Sequence, residues 1–184
     1  TYSFLKDRLA LAILSFLFFP FSVIGQSKIE VVRNVILMGS QFQITVVSSD
    51  SSFANTQIDL AIEEIERIEN LISEWRSHTQ ISEVNRNAGI KPVKVEKELF
   101  DFTKRALDYS KMSNGAFDIS TAAMDKVWQF DGSMTVKPSE ESIKKSIEKV
   151  GYQHIILDSV KSTIFLNKEG MKIGFGSIGK GYAA

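Results

Sequence analysis

A glycine-rich segment close to the end of the chain carries the strongest chemical signal: residues 174–182 read GFGSIGKGY. Gly174, Gly176 and Gly179 match the G-x-G-x-x-G pattern of dinucleotide sites. In such sites the missing side chains let backbone N–H groups approach a diphosphate. The βαβ unit that normally surrounds this pattern is missing upstream, so the match alone does not predict a dinucleotide-binding domain of that type.

The same segment has a second possible interpretation as a phosphate-binding loop. The spacing from Gly174 to Lys180 fits G-x-x-x-x-G-K, but Gly181 stands where that loop needs Ser or Thr to hold Mg²⁺. Both patterns share a turn without side chains, a lysine and the start of a helix, which together form a site for phosphate anions. The alternative is a tight structural turn with an exposed Lys180.

Composition excludes several other kinds of site. The 22 basic and 22 acidic residues balance, and no basic cluster interleaved with aromatic residues occurs, so we expect no nucleic-acid partner. The absence of cysteine excludes disulfides and a lipid-modified amino terminus. His78 and His154 are isolated and lack the spacing of metal ligands.

The first 25 residues have the plan of a secretory signal peptide. Lys6 and Arg8 precede an apolar run from Leu9 to Ile24, and a signal peptidase could cut before Gln26. An uncleaved membrane anchor is the alternative. Because an exported chain without cysteine is typical of the bacterial periplasm, we expect a periplasmic or cell-envelope protein whose folded domain covers residues 26–184.

The elements that would position the glycine-rich segment follow from hydrophobic periodicity. Residues 29–37 and 42–48 are rich in β-branched side chains and predict a hairpin with its turn at 38–41. Apolar positions at helical spacing predict an amphipathic helix over 56–75, whose acidic residues form a solvated face. After a polar stretch, a second helix is predicted over 97–113, burying Leu99, Phe102, Ala106 and Tyr109 and ending at Asn114 and Gly115.

The last third predicts one more helix and three strands. The helix begins after Pro138 with Ser139 as its cap and carries Ile143, Ile147 and Val150 inward. The strands are predicted at 154–157, 163–166 and 171–175. This order predicts an α+β fold in which helices pack on antiparallel sheet.

Four separated blocks resemble the FAD:protein FMN transferase (ApbE-like) family, in the family's order. Residues 38–46, MGSQFQITV, resemble its M-G-T element and strand. Residues 72–75, ISEW, with 79–85, TQISEVN, are similar to its L-S-T-Y and S-E-I-S-R-L-N segments. Residues 115–120, GAFDIS, and 176–184, GSIGKGYAA, resemble G-A-F-D-[PI]-T and G-G-I-A-K-G-Y-A-x-D. The resemblance runs from about Val35 to the last residue.

The resemblance implies a fold and a set of site residues. It implies that residues 26–184 are the amino-terminal part of an ApbE-like domain that binds FAD as substrate. Its FAD-binding positions correspond to Met38, Trp75, Ala116, Phe117, Asp118, Gly174 and Lys180. Trp75 offers a ring for stacking on a flavin or adenine, Asp118 an acceptor for hydroxyl or amino groups, and Lys180 a charge for the diphosphate. Trp75 as ordinary core and Asp118 as a turn or cap residue are the alternatives.

The implied reaction is a transfer of FMN. In the family, a threonine of a target protein receives FMN from FAD and AMP leaves, with Mg²⁺ held partly by the main-chain carbonyl at the position of Ser177. Lys180 is then the expected catalytic residue of this chain, and the partner is a flavin-accepting membrane or periplasmic protein. An FAD pyrophosphatase, a non-catalytic flavin-binding protein and a dinucleotide-dependent oxidoreductase are the other hypotheses.

The chain departs from the family pattern at several positions. Gly174 stands where an Asp is often found, Ser177 replaces Gly or Thr, and Thr79 with Gln80 replaces Ser-Glu. The change at Gly174 removes a carboxylate from the neighbourhood of the expected flavin.

Overall fold

The computed structural model describes residues 27–124, 127–128 and 133–184. The signal peptide expected at residues 1–25 lies outside these ranges. Among the described residues, none of the helices combines the length and the apolar character that a membrane crossing requires.

An antiparallel hairpin opens the described chain. Strand β1 spans Ile29–Leu37 and strand β2 spans Ser40–Ser48, with Leu37 opposite Ser40 and Ile29 opposite Ser48. The turn is only Met38 and Gly39, with φ values of 50° and 68°. A two-residue turn with positive φ at both positions matches the twist of the strands it joins, which is why β2 begins two residues before the predicted strand.

Helix α1, Ser51–Ile72, packs on the hairpin and is displaced from the prediction at both ends. It begins early because the Asp50 carboxylate accepts hydrogen bonds from the N–H groups of Ser52 (2.8 Å) and Phe53 (3.2 Å). It ends at Ile72, and the next residue, Ser73, is extended. Trp75 therefore leaves the apolar stripe of the helix, and its residue surface is 81% exposed. The alternative that Trp75 is ordinary core is wrong.

Two short elements connect α1 to the next long helix. Helix α2, Gln80–Arg86, lies in the stretch that we described only as polar, and the Thr79 hydroxyl caps it by accepting from the N–H of Ser82. Strand β3 is Val93–Lys94. Helix α3, Lys97–Met112, confirms the second predicted helix, and Asn114 and Gly115 follow it with φ of 51° and 82°. Tyr109 is 45% exposed, so the prediction that it is buried is wrong.

Strand β4 is Ile155–Asp158 and strand β5 is Thr163–Leu166, as predicted within one residue. With β3 they form a second antiparallel sheet, in the order β3-β5-β4. Between α3 and β4 lie a 3₁₀ turn at Ile119–Ala123, helix α4 at Glu140–Ser146 and a 3₁₀ turn at Tyr152–His154. Helix α4 stops earlier than predicted, and Ile147 is 48% exposed rather than turned inward.

The strand predicted at residues 171–175 does not form. The N–H of Ile173 donates to the Asn85 side-chain oxygen (2.9 Å), and the Asn85 amide donates to the Ile173 carbonyl (3.0 Å). The N–H of Gly174 donates to the carbonyl of Ile119 (3.0 Å). These bonds use the N–H and C=O groups that would otherwise pair with a neighbouring strand. The alternating apolar residues that suggested a strand, Met171, Ile173 and Phe175, are buried in the core instead.

The chain ends in helix α5, Gly179–Ala183, which rests directly on α1. An ideal Cβ at Gly179 would lie 2.6 Å from the Cδ1 atom of Ile72. Ile72 is itself buried in the core, and its Cδ1 atom would have to shift to make room for a side chain at residue 179. Glycine is therefore the residue that lets α5 begin at this distance from α1.

Removing the Asn85 amide should destabilise the fold. Asn85→Ala leaves the N–H and C=O of Ile173 without their partner, and we expect a loss of about 2–3 kcal/mol in the free energy of unfolding, measured by urea denaturation. Asn87→Ala is the control, because its amide donates only to the carbonyl of Glu83, one turn earlier. Equal losses for the two variants would contradict the bridging role of Asn85.

Adding a methyl group at Gly179 should separate α5 from α1. We expect Gly179→Ala to lose about 1–3 kcal/mol of unfolding free energy because the new Cβ overpacks against Ile72. Gly181→Ala lies in the same helix, where a Cβ would meet nothing within 4 Å, and should be neutral or slightly stabilising. If both variants unfold at the same urea concentration, the close contact does not restrict residue 179.

Candidate functional site

A cavity of about 340 Å³ lies where α5, the hairpin turn and the end of α1 meet. Its wall comes from three parts of the chain: the turn after β1, the end of α1 with the extended segment behind it, and the glycine-rich segment. The lining residues are Met38, Gly39, Glu69, Ile72, Ser73, Glu74, Trp75, Arg76, Phe175, Gly176, Gly179 and Lys180. The structure therefore brings Met38, Trp75 and Lys180, three of the predicted site residues, to one cavity.

The glycine-rich segment reaches this cavity through a tight turn. Phe175 is buried, with its ring centroid 4.9 Å from that of Phe102. Its carbonyl accepts hydrogen bonds from the N–H groups of Ile178 (3.1 Å) and Gly179 (2.7 Å). The turn thus starts from a fixed point in the core, and Lys180, one residue into α5, is exposed at the cavity wall.

Tyr182 anchors the other side of α5. Its ring stacks on Phe102 at a centroid distance of 4.2 Å, and its hydroxyl donates to Glu98 Oε1 (2.8 Å). Arg67 donates to the same carboxylate at 2.8 and 2.9 Å and also binds Glu64. A charged network therefore ties α5 to both α1 and α3 and limits the positions that Lys180 can take.

The network changes the ionisation of its members. The Arg67 hydrogen bonds hold the pKa of Glu98 below its ordinary value, against an opposing effect of burial, and the Tyr182 hydroxyl acts in the same direction as Arg67. Burial raises the pKa of Tyr182, and the hydrogen bond to Glu98 raises it further. The pKa of Arg67 is raised by its hydrogen bonds to Glu64 and Glu98. Glu98 and Arg67 are therefore charged, and Tyr182 neutral, at neutral pH.

The Glu69 carboxylate on α1 supports the hairpin side of the cavity. Glu69 Oε2 accepts a long hydrogen bond from the N–H of Met38 (3.4 Å). Glu69 also pairs with Arg76 (3.3 Å), which in addition contacts the side chain of Asn70. These contacts hold the positive-φ turn of the hairpin against the end of α1. Glu69, Ile72, Glu74 and Arg76 were not among the predicted site residues, although Glu74 lies inside the recognised block at 72–75.

A second hollow, about 850 Å³, adjoins the first at Glu74 and Trp75, which line both. Its other walls come from α2 and from the 3₁₀ turn at Ile119–Ala123, through Asn85, Thr121 and Ala122. The exposed Trp75 residue thus stands between two hollows. A flat indole in that position can stack on a planar ring system placed in either of them.

Ala116, Phe117 and Asp118 lie outside the wall of the first cavity. The Asp118 carboxylate caps the 3₁₀ turn: Oδ1 accepts from the N–H and the hydroxyl of Ser120 (2.7 and 2.6 Å). Its Oδ2 accepts from the N–H of Tyr152 (2.8 Å). The structure therefore shows Asp118 as the cap residue of this turn, which was the alternative to a role in FAD binding. Its role in FAD binding stays a prediction, as do those of Ala116 and Phe117.

Gly174 and Ser177 occupy different surroundings. Gly174 is buried next to the side chains of Glu74 and Ala122, whereas Ser177 is exposed in the turn before α5. Among the described residues there is no group of three or more His, Cys, Asp or Glu side chains placed to hold a metal ion. The role of Ser177 in holding Mg²⁺ stays a prediction.

Acid should weaken the Arg67–Glu98 contact in a defined pH range. Because the pKa of Glu98 is lower in the folded protein than its ordinary 4.5, its ionised form stabilises the fold above that pH, and this contribution disappears as the pH falls through the folded pKa. We expect the difference in unfolding free energy between the protein and Glu98→Gln to shrink over that range. In an Arg67→Met background the pH dependence should be much smaller; an unchanged pH dependence would contradict the assignment.

Comparison with known proteins places these features in a family. The model of the ApbE family matches residues 38–184. An FAD:protein FMN transferase of Klebsiella pneumoniae (strain 342) is 28% identical over 151 residues, covering 82% of this chain and 46% of the relative. Another, from Buchnera aphidicola subsp. Baizongia pistaciae, is 32% identical over 120 residues, covering 62% of this chain and 35% of the relative.

Solved structures agree with the sequence comparison. The ApbE protein of Thermotoga maritima superposes with a TM-score of 0.72 at 25% identity, covering 84% of this chain and 50% of its own. The flavin transferase ApbE of Vibrio cholerae gives a TM-score of 0.69 at 20% identity, with 85% and 51% covered. The chain spans about half the length of the relatives it matches. The predicted α+β fold with antiparallel sheet is confirmed, and the chain belongs to the ApbE family.

Proposed function

We propose that the protein containing this chain is an FAD:protein FMN transferase, which moves FMN from FAD onto a threonine of a target protein. The curated relatives named above carry this activity in their names. The observation that carries the proposal here is the meeting of Lys180, Met38 and Trp75 at one cavity beside a turn rich in glycine. These groups come from distant parts of the sequence, and each suits a different portion of a flavin dinucleotide.

The cavity offers apolar surface and positive charge in one place. Met38, Ile72 and Phe175 supply the apolar part, as in most small-molecule sites. Lys180 supplies a cation for the diphosphate, and a Cβ at Gly176 would meet nothing within 4 Å, so the turn has open space in front of it. The two adjoining hollows provide separate places for the two ring systems of a dinucleotide, with Trp75 between them.

In the proposed reaction, the threonine hydroxyl oxygen attacks the phosphorus on the FMN side of FAD. A new P–O bond forms, the P–O bond to the AMP phosphate breaks, and the hydroxyl proton is released. Lys180 stabilises the negative charge that develops on the departing phosphate. The family resemblance implies that the reaction uses Mg²⁺, which the main-chain carbonyl of Ser177 would help to hold. The described residues contribute binding and charge neutralisation.

We also propose that the acceptor is a membrane or periplasmic protein. Support comes from the sequence of residues 1–25, in which Lys6 and Arg8 precede an apolar run. An exported transferase would meet its acceptor on the outer side of the membrane.

Replacing Lys180 should abolish most of the transfer. The full-length protein, incubated with FAD, Mg²⁺ and a threonine-bearing target, should yield a target band with covalent flavin fluorescence. We expect Lys180→Ala to lower the rate about a hundredfold, because a charge that stabilises the leaving phosphate is lost. Lys91→Ala, an exposed lysine away from the cavity, should transfer at the unsubstituted rate.

Other products would identify the competing hypotheses. Release of free FMN and AMP without a fluorescent band would show an FAD pyrophosphatase, which uses water in place of threonine. FAD that is bound but remains intact would show a flavin-binding protein. A transfer rate that is equal in Lys180→Ala and the unsubstituted protein would remove Lys180 from the reaction.

A further inference from the structure

The Glu74 side chain occupies the space in front of Gly174. An ideal Cβ on Gly174 would lie 2.6 Å from Glu74 Oε1 and 2.9 Å from Glu74 Cδ, far closer than non-bonded atoms approach. The φ angle of Gly174 is not positive, so space and not backbone conformation is what restricts this position. The carboxyl group of Glu74 thus stands where a side chain of residue 174 would begin.

This carboxylate has no partner in the described part of the protein. No hydrogen bond or ion pair to Glu74 Oε1 or Oε2 occurs among the described residues. Glu69, in the same cavity, is instead engaged by Arg76 and by the N–H of Met38. Glu74 is half-buried and lines both hollows. A carboxylate that lines a cavity and has no protein donor is available to accept a hydrogen bond from a ligand.

The sequence changes at the two facing positions complement each other. Glu74 stands where the L-S-T-Y segment has Thr, and Gly174 stands where an Asp is often found. Gly174 is buried and lines neither hollow, and the absence of a side chain there leaves the room that the longer Glu74 side chain needs.

We propose that Glu74 is a substrate-binding residue of this protein and that its carboxylate accepts a hydrogen bond from a hydroxyl or ring N–H of the flavin dinucleotide. The inference rests on the proposed function. Since a carboxylate repels phosphate, the diphosphate lies toward Lys180, and the uncharged donors of the ligand lie toward Glu74. Gly174 serves this arrangement by leaving space for the glutamate.

The first test removes or displaces the carboxylate. FAD affinity of the full-length protein is measured from the quenching of flavin fluorescence on binding. Glu74→Ala should weaken binding about tenfold, the effect of losing a hydrogen bond to a charged acceptor. Gly174→Ala should weaken it comparably, because the new Cβ forces the Glu74 carboxyl group away. Glu83→Gln, which removes an exposed charge on α2, is the control and should bind as the unsubstituted protein does.

The second test moves the carboxylate from residue 74 to residue 174. Gly174→Asp alone should bind FAD poorly, because it places a second carboxylate against Glu74. Combined with Glu74→Thr, the same substitution should bring the affinity back to within about threefold of the unsubstituted protein. Glu74→Thr alone, which keeps Gly174 and leaves no carboxylate at either position, should bind FAD about tenfold more weakly than the double variant. Melting temperatures of all variants show whether a loss of binding reflects a loss of folding.

Two results would overturn the proposal. If the unsubstituted protein binds and transfers flavin while Glu74→Ala binds FAD within about twofold of it, Glu74 is not a ligand-binding residue, although the proposed function stands. If the unsubstituted protein does not bind FAD at all, the proposed function fails and this inference fails with it. The variant Glu74→Met, similar in size but without a strong hydrogen-bond acceptor, keeps the test decisive should Glu74→Ala fold poorly: binding equal to that of the unsubstituted protein would then overturn the proposal.

Discussion

The close contact between the start of α5 and the end of α1 is the constraint on which the rest of the site depends. Gly179 approaches Ile72 so nearly that a side chain at residue 179 would overlap it. Because Phe175 is fixed in the core just before the turn and Tyr182 is fixed by Phe102 and Glu98 just after it, α5 is held from both ends. Lys180 lies between these anchors and is therefore placed at the cavity by packing, although its own side chain is exposed.

The charges around the cavity divide into those that hold the fold and those that face the cavity. Arg67 with Glu64 and Glu98, and Arg76 with Glu69, are paired and connect neighbouring elements. Among the described residues, no such ion pair is formed by Lys180 or Glu74. Lys180 and Glu74 line the same cavity without forming an ion pair with each other. The cation can therefore bind the diphosphate of a ligand while the carboxylate accepts hydrogen bonds from its donors.

Asp118 shows how a residue can shape a site without lining its first cavity. Its two carboxylate oxygens connect the 3₁₀ turn at Ile119–Ala123 to the N–H of Tyr152, just before β4. That turn forms one wall of the second hollow and provides the carbonyl that binds the N–H of Gly174. The position of Gly174, and with it the room for Glu74, thus depends on hydrogen bonds that begin at Asp118.

Local patterns in the sequence predicted three of the helices, the hairpin and the family, but not helix α2. The helix α3, the strands of the hairpin and the glycine-rich segment with Lys180 follow from hydrophobic periodicity, turn chemistry and motif spacing, all of which act over short stretches of chain. Tertiary structure decided what those patterns do not contain. The alternation at 171–175 looked like a strand, but Asn85, 88 residues away from Ile173, takes its backbone hydrogen bonds. In the same way, Glu74 and Gly174 are 100 residues apart in the sequence but adjacent in the fold. Local patterns cannot show this contact, because only the packing of distant segments creates the space that the carboxylate occupies.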